Sequence, residues 1–110
     1  TFNYKLTASS PVDKLTFICA DDLQIDIEPT DLLFIDTLHN ANHLRHELAI
    51  HVIKVKKYII CHDTFIFGKN GDDGDKGLLY ALDEFLEKNN DWEREYHTDK
   101  NNGLTIIKRK

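Results

Sequence analysis

Apolar residues in this chain fall into short blocks whose spacing changes along the sequence. Residues 31 to 36 (DLLFID) hold a run of apolar positions without alternation, which predicts a strand covered on both faces, as in parallel sheets. From Asn40 the period lengthens. Leu44, Leu48, Val52 and Val55 recur at helical spacing while Asn42, Arg45, Glu47 and Lys54 fall elsewhere, which predicts an amphipathic helix over 40–54. Residues 57–62 (KYIICH) then predict a second buried strand. Strand, helix and strand in such quick succession form a βαβ unit, with parallel strands and a right-handed crossover.

Outside this unit the pattern predicts four further pieces. Residues 14–20 (KLTFICA) are β-prone and predict a strand, and residues 2–7 (FNYKLT) alternate weakly as another before the Ser9-Ser10-Pro11 breaker. A second helix over 76–88 would bury Leu78, Leu82, Phe85 and Leu86. A closing hairpin, Trp92 to His97 and Leu104 to Lys108, surrounds Asn102-Gly103, a pair that accepts the positive φ of tight reversals. Between strand and helix, residues 68–77 (GKNGDDGDKG) read as a mobile acidic loop over the strand ends, or as solvated linker; their acids lack the spacing of an EF-hand. The fold class expected is α/β.

Composition narrows the setting. At 110 residues, 41% hydrophobic and 30% charged, the chain suits one soluble domain with a single core. Net charge is −5 and the 14 Lys and Arg are dispersed, so no basic face exists to displace phosphate counterions and no nucleic-acid partner is expected. No apolar run approaches a membrane span, and no signal peptide opens the chain. Cys19 and Cys61 both sit in apolar runs and read as reduced core residues of a cytoplasmic protein. Methionine is absent, so residue 1 is expected not to be a translation start.

The candidate chemistry lies where apolar runs stop on ionisable residues. One predicted strand ends on Asp36 and the next on His62-Asp63. In open α/β sheets ligands bind beyond the carboxyl ends of the strands, so these side chains would converge on a site if the strands are neighbours. Two carboxylates and an imidazole suit Mg²⁺ or Mn²⁺, or a harder transition ion, with water completing the shell. The plain alternative is that Asp36 and Asp63 cap the helices that follow. His39, near the helix start, has the chemistry to take a proton near neutral pH, while His43, His46 and His51 read mostly as surface or flank residues of the helix. The first 67 residues contain no glycine, so no glycine-rich turn is present to cradle a nucleotide.

Taken in order, "DLLFIDTLH", "YIICHDT", "GLLYALDEFL" and "NNGLTIIKR" resemble the C-terminal half of a class I S-adenosylmethionine-dependent methyltransferase. The similarity is to the metal-dependent group of cephalosporin hydroxylases and macrolide-sugar O-methyltransferases, and it covers residues 14 to 109. The resemblance implies a partial Rossmann-like sheet, mostly parallel, with a C-terminal antiparallel hairpin. Residues 1–110 would then form one domain, the C-terminal part of a methyltransferase domain lacking the glycine-rich first motif. It implies a divalent metal, Mg or Mn, on Asp36, His62 and Asp63, with His62 standing where the family has an acid. His39 would be the general base. Asp21 and Asp22 would contact the adenine end of S-adenosylmethionine, although a chain without the glycine motif is expected to bind that cofactor weakly.

The function these residues point to is part of a metal-dependent O-methyltransferase acting on small-molecule or sugar hydroxyls. Two alternatives stand beside it: a non-catalytic α/β module that self-associates as a homo-oligomer or binds a partner to cover an exposed sheet edge, and a metal-binding hydroxylase-like domain.

Overall fold

The computed structural model describes residues 15–110. Its centre is the expected strand-helix-strand unit. Strand β1 (Thr30–Ile35) leads to helix α1 (Ala41–His51), a 3-10 turn follows at Val52–Lys54, and strand β2 (Val55–His62) runs parallel to β1. Asn40 caps α1, its side-chain oxygen accepting from the His43 backbone N–H at 2.8 Å. The helix stops short of residue 54 because Val52, Ile53 and Val55 are β-branched, stiff in a helix and well suited to the strand that begins there.

The rest closes the sheet from the other side. Helix α2 (Leu78–Lys88) packs beside α1, and strands β3 (Trp92–Thr98) and β4 (Leu104–Arg109) form the expected hairpin. The reversal places Asn101, Asn102 and Gly103 all at positive φ. Strand β4 pairs antiparallel with β2, giving the order β1-β2-β4-β3. The sheet is therefore mixed, with one parallel and two antiparallel pairings. This corrects the mostly parallel sheet expected from sequence.

Both helices cover one sheet face. Ile59, Cys61, Ile107 and Val55 from the sheet meet Leu44 and Leu48 of α1 and Leu78, Ala81 and Leu82 of α2 in one buried cluster, with Trp92 included. Burying a side chain of this kind stabilises by about 1.5–3 kcal/mol. Arg109 locks the far end: its guanidinium lies 4.7 Å from the Trp92 ring centroid and donates to the Val55 carbonyl at 2.9 Å and the Asp91 carboxylate at 2.6 Å.

The opposite face is different. Leu32 and Phe34 of β1 are about half exposed, at 47% and 53%, so β1 is covered on one face only. Successive strand residues point to opposite faces, and the register sets Phe34 beside Ile60, Ile60 beside Ile106, and Ile106 beside Tyr96. An apolar row thus crosses all four strands on the face away from the helices.

Other expectations also change. Residues 15–19 form no strand, and Leu15, Phe17 and Ile18 are exposed. Strand preference expresses fit to a pleated neighbour, and strands β1 to β4 form their sheet with one another and not with this segment. Cys19 is likewise exposed, whereas Cys61 is buried as expected. The strand expected over 2–7 lies outside the described residues. Glu47, expected on the polar side of α1, is buried with Ala41, Leu44, Leu48 and His51. It stands three residues after Leu44, on the same inward stripe.

Candidate functional site

The parallel register places Ile35 beside Cys61, so the residues that follow, Asp36 and His62, emerge side by side at the carboxyl end of the sheet. His62 Nδ1 lies 3.5 Å from Asp36 Oδ1 and 3.4 Å from Asp63 Oδ1. Its Nε2 is 2.9 Å from the Asn101 carbonyl, a contact made as an N–H donor. Slight burial lowers the tendency of His62 to hold a proton, but the Asn101 carbonyl, Asp63 and Asp36 together outweigh it and raise the pKa above the ordinary imidazole range.

Asp63 is turned by its backbone. Its φ of 63° is the left-handed conformation, which aspartate tolerates better than most side chains. The backbone N–H donates to the Gly103 carbonyl at 2.9 Å, and the Asp63 carbonyl accepts from the Phe67 N–H at 3.1 Å. This tight reversal carries the largely buried carboxylate to His39, with Asp63 Oδ2 2.8 Å from His39 Nε2.

His39 is held from three sides. Its ring stacks on Phe67 with centroids 4.4 Å apart and planes 5° from parallel. Its carbonyl accepts from the Asp72 N–H at 2.8 Å, and its own N–H donates to Asp72 Oδ2 at 3.3 Å. Asp72 also accepts from the Asn40 amide at 3.1 Å, and this bond, with the His39 contacts, holds its carboxyl below the ordinary aspartate range. The acidic loop expected over the strand ends is thus latched to the start of α1 through Asp72. A bridge between Asn70 and Lys76 pins its base.

One donor atom each from Asp36, His39 and Asp63 lies within 4.8 Å of the others. Two carboxylates and an imidazole at that spacing fit a divalent cation, and the buried, paired Asp63 supplies a preset anchor. The residues expected to hold metal were Asp36, His62 and Asp63; the grouping contains His39, and His62 sits at its flank against both acids. Helix capping falls to Asn40 for α1, and α2 starts at Gly77 without a side-chain cap, so neither Asp36 nor Asp63 has that role.

Asp21 and Asp22 do not follow a strand. They open a turn in which the Gln24 N–H donates to the Asp21 carbonyl at 2.9 Å and the Leu23 N–H donates to Asp21 Oδ1 at 2.9 Å. The turn lies over α1, where the Asp22 carbonyl accepts from His51 Nε2 at 2.6 Å. His51 is accordingly buried, against the expectation of a surface residue, while His46 is exposed.

Sequence reasoning passed over Asp72, Thr37 and Glu47. Thr37 donates to Glu47 Oε2 at 2.6 Å. Burial pushes the Glu47 carboxyl up to about 8, Asp22 adds to the rise, and Thr37 opposes it. The available signal was the phase of Glu47 on the helix, three residues from Leu44 and four from His43. No protein-family model, curated protein or solved structure matches the chain, so the site is read from its own chemistry.

Proposed function

We propose that this chain is the metal-holding part of an O-methyltransferase of the Rossmann-like class, acting on hydroxyl groups of a small molecule or sugar. The observation that carries the reading is the meeting of Asp36, His39 and Asp63 at the carboxyl ends of adjacent parallel strands. That is where open α/β sheets place their ligands.

In this reading Asp36, Asp63 and His39 hold the divalent ion. When bound, the ion lowers the pKa of a substrate hydroxyl and orients it. The chain's own residues do the rest. Asp63 and the Phe67 ring fix the His39 imidazole, and Asp72 holds the loop beside it. His62, bonded to the Asn101 carbonyl, faces both acids and stands ready to hold or pass a proton at Nδ1. This shifts the proton-handling role from His39, where sequence put it, toward His62. Positioning of the acceptor supplies most of the acceleration. The S-adenosylmethionine contact expected of Asp21 and Asp22 finds no support in a turn that packs against α1.

Calorimetric titration with Mg²⁺ and Mn²⁺, alone and with S-adenosylmethionine, tests the reading. Binding of Mn²⁺ that is lost in Asp63→Asn and in Asp36→Asn supports it. Unchanged Mn²⁺ binding in both variants removes it. Cofactor binding strengthened by the metal extends the assignment from metal site to methyl transfer.

A further inference from the structure

The geometry points to a second cation site, formed by Asp22, His43 and Glu47 and suited to a transition dication such as Zn²⁺. It shares no residue with the Asp36, His39 and Asp63 group.

The local sequence builds it. His43 and Glu47 are four residues apart on α1, so their side chains lie on one face one turn apart, the spacing by which helices commonly present two metal ligands. The third donor comes from the turn at residues 21–24. His51, one further turn along the same helix, binds the Asp22 carbonyl at 2.6 Å and so fixes the turn that offers the Asp22 carboxylate. This is the kind of outer support that orients ligands in established metal sites.

The distances suit the ion. His43 Nε2 lies 3.2 Å from Asp22 Oδ1 and 3.6 Å from Glu47 Oε2. Donors about 2.05 Å from a tetrahedral centre are about 3.3–3.4 Å from one another, between the two observed values. An octahedral Mg²⁺ shell of similar bond length would draw neighbouring donors closer, to about 2.9 Å. One imidazole and two carboxylates also match the ligand types zinc takes, with a fourth position left for water.

A separate observation concerns Glu47 itself. Glu47 is 1% exposed, yet its Oε1 has no hydrogen-bond partner. Buried carboxylate oxygens are costly unless paired or coordinated. Asp22 and Glu47, though not His43, also line a largely apolar cavity of about 130 Å³. Thr37 donates to Oε2, which keeps a second lone pair for the ion, and Oε1 lies unpartnered beside it. Binding would require the His43 tautomer that carries its proton on Nδ1 and offers Nε2.

The test uses the intact 110-residue chain, stripped with a chelator and titrated with Co²⁺ while visible absorption reports tetrahedral coordination. Zn²⁺ is then used to displace it. The expected result is a tetrahedral Co²⁺ spectrum that persists in Asp63→Asn and is lost, or needs at least about tenfold more metal, in Asp22→Asn and His43→Gln. Glu47→Gln should behave like them. Because that change is in the core, the decision rests on Asp22→Asn, whose partly exposed turn lets the fold stand, as circular dichroism would verify. A Co²⁺ spectrum lost in Asp63→Asn but intact in Asp22→Asn would overturn the proposal. So would the absence of any tetrahedral spectrum in the parent chain.

Discussion

Replacing Gly103 by Ala should remove much of the stability of this domain, and the structure says why. Gly103 has a φ of 102°, where L side chains are strained, and an added Cβ would overlap the Phe65 backbone nitrogen and approach its Cβ at 2.7 Å and Cα at 2.8 Å. Strain at such a position costs about 1–3 kcal/mol. The clash cannot be relieved by a side chain, because the obstacle is the backbone. Phe65 and the turn must separate, which endangers three bonds that join them: Asp63 N–H to Gly103, and the Phe65 and Ile66 N–H groups to Asn102. At about 1 kcal/mol each, losing two brings the total to about 3–5 kcal/mol. A chain of this size has about 5–15 kcal/mol in all. Gly74→Ala is the control, since its φ is 80° but nothing lies within 4 Å of the added carbon. It should cost only the strain, about 1 kcal/mol. Urea unfolding followed by circular dichroism would compare the midpoints at equal m. If the two variants differ by less than about 0.5 kcal/mol, the reasoning from close approach is wrong.

Glu47 and Arg109 give two further expected outcomes. Glu47 is protonated up to about pH 8 in the fold against an ordinary 4.5, so the folded state binds its proton more tightly and metal-free stability should fall as pH rises across that window. At about 1.4 kcal/mol per unit the loss is on the order of 5 kcal/mol, and Glu47→Gln should flatten this slope in chelator; an equal slope in both proteins would refute the burial argument. Arg109→Ala should lower stability by about 1–3 kcal/mol through loss of the Trp92 stacking and of donors to the Val55 carbonyl, with Arg109→Lys recovering little of it because lysine lacks the planar fork. Full recovery by Lys in the same urea assay would mean that charge alone matters there.

Much of the fold was legible because a few residues carry strong local signals. Leu44 and Leu48 at helical spacing and Asn102-Gly103 between two β-prone runs each led to the observed element, and Asp36 and His62-Asp63 do end neighbouring strands. What failed were inferences about surroundings. Leu32 and Phe34 look buried by composition, yet nothing in their own sequence reports whether a layer lies above them. KLTFICA has strand-like composition, and no described strand pairs with it. Glu47 was read by its charge when its helical phase was the better guide. The left-handed turn at Asp63 and the Asp72 latch depend on contacts with Gly103 and with Asn40, far along the chain, and no short window contains them.

The order β1-β2-β4-β3 has a consequence for how the molecule opens. The β1, α1, β2 segment and the β3-β4 hairpin are each local in sequence, and a single ladder, β2 to β4, ties the two halves of the sheet together. Pairings along it, such as Tyr58 with Lys108, close the longest loops in the sheet and form last if local pieces come first. Amides of β2 are protected by partners on both sides, so hydrogen exchange there should report global unfolding, while exchange in β3, paired on one side only among the described residues, reports smaller and cheaper openings. Since Asp63 is bonded to Gly103 in the turn of that hairpin, an excursion that lifts the hairpin also releases the strand end, and the lifetime of the site is set by the seam between the halves.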